Sequence, residues 1–253
     1  MAVASATDYT LTDTNTTLTV RDSAGDGALN WVANGVDQAF QQTYMWRLGD
    51  SGTASFIQGL NFVGFSQAAS NQLSLNYTSN LGFDLTVKYL LTGGTTEFDL
   101  AEVVTVHNTS NTTLNFRLFQ YNDFDMGGTS GGDTIERLNS SSMRQSDGTS
   151  VLSTINQGVT PIPQFSEMGG FSGLRSNILT TNGYNLNTVA GNGIGETFNG
   201  DGTYAFQWQK DIGAGNNFIV SSDKVLSAPV PEPASMAALG LGAVALIRRR
   251  RKN

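Results

Sequence analysis

Phe83-Asp84-Leu85-Thr86-Val87-Lys88-Tyr89-Leu90-Leu91 is the stretch whose reading decides the fold. Phe83, Leu85, Val87, Tyr89 and Leu91 alternate with Asp84, Thr86 and Lys88, the period of two that a strand with one buried face requires. Gly93-Gly94 then supplies a turn. Past it, Phe98, Leu100, Val104 and Val106 share a face that only Glu102 interrupts, and Leu114, Phe116 and Leu118 line up again after residues 108–113. The pattern predicts three consecutive antiparallel strands between Gly82 and Phe124.

Outward from this core, alternation predicts strands at 16–22, 28–33, 72–78, 151–155, 204–211 and 217–226, with Tyr204, Phe206 and Trp208 on one face. Residues 40–48 fit both periods: Phe40, Tyr44 and Leu48 suit a helical face, and adding Trp46 suits a strand. Their aromatic content favours the strand. Residues 161–200 are rich in Gly and Asn and lack a clean period, which predicts long loops with short strands. No internal repeat of fixed period is present. Many short strands without intervening helices imply an all-β, antiparallel β-sandwich over residues 7–226.

Composition narrows the function. Charged residues are only 14% and glycines number 29, a balance that suits a turn-rich β domain outside the cell. The net charge is −7, so setting aside the five positive residues at 248–252 leaves −12. Such an acidic body argues against nucleic acid and anionic membrane surfaces as partners. The absence of Cys excludes disulfides, Cys-ligated zinc and thiol catalysis, without placing the chain in the cytosol. His107 is the sole histidine, so a multi-histidine metal site cannot form within one chain.

Asp123, Asp125 and Asp133 are the candidate metal ligands. Two carboxylates at this spacing resemble the start of a calcium loop, a site built from hard oxygen donors. Gly127 stands where the third ligand belongs, and Glu136 reaches the ion only by a different loop path. The alternative is a polar turn that satisfies its own backbone. No other cofactor is expected. Gly128-Thr129-Ser130-Gly131-Gly132 matches Gly-x-Ser-x-Gly, but a nucleophile elbow needs a strand before it and a helix after it, and this run sits in a Gly-rich loop. Glu97 with Glu102, or Asp123 with Asp125, offer carboxylate pairs of the kind glycosidases use. Trp31, Trp46 and Trp208 could stack on sugars, although Trp208 lies in a core-like pattern. These features predict a body that is not an enzyme and is structural or adhesive, with a glycan-binding module or polysaccharide-active enzyme as the alternative.

The chain ends on Val230-Pro231-Glu232-Pro233, then an uncharged run from Ala234 to Ile247, then Arg248-Arg249-Arg250-Arg251-Lys252-Asn253. As a helix, residues 234–247 would be about 21 Å long against a hydrocarbon core of about 30 Å, short for a permanent anchor. The basic cluster favours the cytoplasmic side. Pro231-Glu232-Pro233, the Gly240- and Gly242-containing apolar run and the Arg cluster, in that order, resemble the PEP-CTERM sorting signal. The resemblance implies export, transient insertion in the inner membrane through 234–247, recognition by an exosortase, and transfer to the cell surface or extracellular matrix, with exopolysaccharide as a partner. Residues 227–230 form the linker. At the other end Ala4-Ser5-Ala6 has the form of a signal-peptidase site, so residues 1–6 are expected to be a signal-peptide remnant.

The body resembles secreted proteins that carry this same signal, through residues 30–38, 119–125 and 205–208. The strands from Phe83 to Asp125 are also similar to the supersandwich of galactose mutarotases. Those enzymes use a histidine and a glutamate; Gln120 and Tyr121 stand where that pattern places histidine.

Overall fold

The computed structural model describes residues 7–22, 25–147, 153–171 and 173–228. In chain order the strands are β1 (Asp8–Asp13), β2 (Thr16–Arg21), β3 (Gly27–Ala33), β4 (Val36–Asp37), β5 (Gln41–Leu48), β6 (Ser55–Phe56) and β7 (Asn61–Ala69). Next come β8 (Gln72–Ser79), β9 (Phe83–Thr92), β10 (Glu97–Asn108), β11 (Leu114–Asp123), β12 (Asp133–Asn139), β13 (Ser142–Asp147), β14 (Thr154–Thr160) and β15 (Phe165–Gly170). Among the described residues one α-helix, α1 (Gly173–Thr180), precedes β16 (Thr188–Val189), β17 (Thr197–Gly200), β18 (Gly202–Ile212) and β19 (Asn217–Ser227).

Two antiparallel sheets form a sandwich. The ten-stranded sheet runs β1-β2-β3-β5-β11-β18-β15-β16, with β4 on β3 and β6 on β5. The nine-stranded sheet runs β17-β12-β13-β14-β19-β10-β9-β8-β7. The alternation read between Phe83 and Leu91 is the inner face of β9: Phe83, Leu85, Val87, Tyr89 and Leu91 are all buried. Phe83 also links the two sheets, with Trp46 of β5 at 4.9 Å and Phe116 of β11 at 5.1 Å between ring centroids. Each such side chain taken out of water contributes about 1.5–3 kcal/mol.

The hairpin β9–β10 pairs as its turn predicts, from Asp99 opposite Thr92 to Asn108 opposite Phe83. β11 departs from the expected run of three. It crosses to the other sheet and lies between β5 and β18. Residues 41–48 form a strand, as their aromatic content favours. The central strands of the ten-stranded sheet are buried on both faces. Phe116, Leu118, Phe206 and Trp208 face the other sheet, while Met45, Phe119, Tyr121 and Ala205 pack under Leu174 and Ile178 of α1. The helix lies inside the segment expected to hold only loops and short strands. The expected strand at 151–155 begins at Thr154 among the described residues. Val151 and Leu152, the expected signal remnant at 1–6, and the whole tail, including Pro231, Glu232, Pro233, the span 234–247 and Arg248 to Lys252, lie outside the described residues. Among the described residues no helix is long and apolar enough to cross a membrane.

Candidate functional site

β11 ends on the outer face of its sheet at Asp123, which pairs in register with Gln41 of β5 and Thr203 of β18. There the chain opens a pocket of about 220 Å³ lined by Phe40, Asp123, Asp125, Ser130, Phe171 and Asp201. Backbone hydrogen bonds set its walls: Phe40 N–H donates to the Asp123 carbonyl (3.1 Å) and Phe171 N–H to the Asp201 carbonyl (2.9 Å). These place the two phenyl rings edge to face, 5.8 Å apart. Phe40 is 49% exposed and Phe171 45%. Two large rings left half in water over a polar floor are what a stacking surface needs.

The floor is acidic. Asp123 is buried, and burial pushes its carboxyl up to about 7, helped by the neighbouring charges of Asp125 and Asp201. Two contacts oppose the shift: the Tyr121 hydroxyl donates to Asp123 Oδ2 at 3.1 Å, and Arg175 of α1 lies nearby. Burial also raises Asp125, with Asp201 and Asp37 adding to it. A carboxyl poised near neutrality beside two further carboxylates can give a proton to a bound group and leave a neighbour to take one.

Asp123, Asp125 and Asp133 do not form the expected calcium trio. Asp133 Oδ2 accepts from the Gln145 amide at 2.6 Å and from Met126 N–H at 3.2 Å, and Asp133 does not line the pocket. Gly127, at the third ligand position, takes φ +71° and turns the chain. Asp201 joins the first two carboxylates in place of Asp133. Among the described residues no group of three His, Cys, Asp or Glu side chains is arranged to hold a metal ion. The other sequence candidates separate as well. Glu97 is exposed on one face of β10 and Glu102 buried on the other, so they are not a pair. Ser130 lines the pocket, but the run after it enters β12 rather than a helix, and His107 lies on β10 of the other sheet. Trp31 and Trp208 are core residues. Phe40 and Phe171, not the tryptophans, form the exposed aromatic pair.

Comparison with known proteins adds two findings. The PEP-CTERM protein-sorting motif matches residues 229–252, which marks the protein for export and for exosortase processing at the membrane. No curated protein matches the chain. Among solved structures, a bacterial glucoamylase in complex with acarbose superposes with a TM-score of 0.62 at 7% identity, over 95% of this chain and 36% of that one. An Escherichia coli K12 protein classed as an aldose 1-epimerase gives 0.59 at 11% identity, over 88% of this chain and 100% of that one. A galactose mutarotase related enzyme from Lactobacillus acidophilus gives 0.56 at 10% identity, over 89% and 99%. At these identities the likeness is one of fold, the mutarotase-type supersandwich. It overturns the expectation that the body is not an enzyme: carbohydrate-active enzymes are built on this architecture, and any activity must be read from the site.

Proposed function

We propose that the protein is exported, released from the inner membrane by an exosortase to the cell surface or extracellular matrix, and acts there on carbohydrate in the Phe40–Phe171 pocket. The observation that carries this reading is the pairing of two half-exposed rings with three carboxylates, one of them poised near neutrality. The rings stack on the apolar face of a sugar. Asp123 is the general acid, and Asp125 and Asp201 supply the partner carboxyl groups, so the reaction class is proton transfer at a saccharide's anomeric centre. The small pocket suits one sugar ring at a time. The mutarotase-type fold supports the substrate class by analogy. The polar pocket has no imidazole, so the carboxylates must do both proton steps.

The test is to incubate the protein with aldoses and reducing-end oligosaccharides, following anomer exchange by NMR and new reducing ends by chromatography. Turnover that Asp123→Asn lowers by about 100-fold or more supports the assignment. Turnover unchanged in Asp123→Asn would remove Asp123 from the chemistry, and saturable binding without turnover would reduce the pocket to a glycan-binding site.

A further inference from the structure

Between the sheets, on the face of β11 opposite the pocket, lies a second polar cluster. Glu102 of β10 and Lys224 of β19 are both fully buried, with Nζ 2.7 Å from Glu102 Oε2. The same oxygen accepts from the Tyr44 hydroxyl at 2.7 Å and from Gln120 Nε2 at 3.0 Å. Glu102 Oε1 has no partner. Gln120 Oε1 in turn accepts from Gln157 Nε2 at 3.0 Å, and Gln157 is held by the Tyr204 hydroxyl and Ser222. A buried ion pair alone is a poor source of stability, because the desolvation of both charges offsets their attraction. Three donors crowded on one oxygen while the other stays empty is a costly way to build only that.

The chemistry of the cluster suggests what it does. An amine and a primary carboxamide meet on one carboxylate, in a site closed to water. Burial lowers the pKa of Lys224, which favours the neutral, nucleophilic amine. The Gln157 amide already points at the oxygen that would gain charge if Gln120 were attacked.

We propose that Lys224 and Gln120 become joined by an intramolecular isopeptide bond, formed autocatalytically with Glu102 as the proton carrier. Nζ attacks Gln120 Cδ, and the Gln157 amide stabilises the oxyanion of the tetrahedral intermediate. Glu102 takes a proton from Nζ and delivers it to Nε2. The Nζ–Cδ bond forms, the Cδ–Nε2 bond breaks, and ammonia leaves. No oxidant or cofactor is consumed. Fixed proximity replaces a bimolecular encounter, and exclusion of water suppresses competing hydrolysis. The link ties β11 of one sheet to β19 of the other. β19 is the last strand before the sorting signal, so tension applied through the C-terminus enters the body there.

The test is tryptic peptide mass spectrometry of the wild-type protein. Residues 118–137 and 211–224 are separate tryptic peptides in an unlinked chain. The expected result is a branched species holding both, lighter by one ammonia and uncleaved after Lys224. Glu102→Gln, shown folded by circular dichroism, should yield the separate peptides. Recovery of 211–224 with a free Lys224 from wild type overturns the proposal without reference to any variant. A branch to the Gln157 peptide, or a link that survives Glu102→Gln, would overturn the assigned roles.

Discussion

At the scale of single residues, Asp123 carries the strongest consequence. Its carboxyl is raised to about 7 in the folded protein, above the unfolded value near 4. The fold therefore holds a proton that the unfolded chain releases. Asp123 costs nothing below about pH 4, and the fold loses stability progressively as pH climbs from there through about 7. Asp123→Asn should remove that slope: thermal unfolding should show no gain at pH 3 and a gain of at most about 4 kcal/mol at pH 8. Activity that uses Asp123 as an acid should fall as pH rises above about 7, and its pH–rate profile checks this. Asp123 and Asp125 were legible as a pair because they are two residues apart. Asp201 was not, because β12 to β17 intervene before the sheet brings it back. Phe40 and Phe171 were missed for another reason: a sequence shows that a ring is apolar, not that the finished fold leaves it half exposed. Glu102 read as an interruption of an apolar face, and it is the centre of the buried cluster, whose other members come from five strands, β5, β11, β14, β18 and β19.

At the scale of elements, alternation worked where the inner face is apolar and failed where it is not. β9 and β10 were readable for that reason. β12 and β13 also alternate, but Asp133, Arg137, Gln145 and Asp147 are among their buried positions, so hydropathy shows no period. α1 buries only Leu174 and Ile178, one turn apart, too narrow a stripe to stand out in a Gly- and Asn-rich segment. β11 read correctly as a strand, yet which sheet it joins is decided by partners far away in sequence, Tyr44 and Phe206 among them. The Gly93-Gly94 turn has a second role that its sequence hid. Gly93 N–H donates to Asp13 Oδ2 at 2.9 Å, and a Cβ at Gly93 would meet the Asp13 carbonyl at 2.1 Å. The turn thus docks the β1–β2 hairpin of the opposite sheet. Gly93→Ala should push that hairpin away and destabilise the protein by about 1–3 kcal/mol, measurable by urea unfolding.

At the scale of the whole molecule, the sandwich and the sorting signal are two devices with separate physics. Glu232 and the Arg248–Arg251 cluster are the proposed handles for processing. Each charge of the cluster costs on the order of 3 kcal/mol to carry through the bilayer centre. In a host with an exosortase, Glu232→Ala should leave unprocessed chain in the membrane fraction, and Ser in place of Arg248 to Arg251 should let full-length chain slip outward. Mass spectrometry of the C-terminus in each fraction distinguishes the two, and surface protein that still carried the Arg cluster would refute processing. The central claim, however, is that the sandwich presents a saccharide site at Phe40 and Phe171. Both rings are half exposed, so replacing them should cost the fold little. The most direct measurement is calorimetric titration of the wild type and of the Phe40→Ala/Phe171→Ala double variant with the surface polysaccharide of the host, or oligosaccharides cut from it. Saturable binding in the wild type, weakened at least about tenfold in a double variant of unchanged melting temperature, is the predicted result. Equal binding by both proteins, or no binding by the wild type, would contradict it.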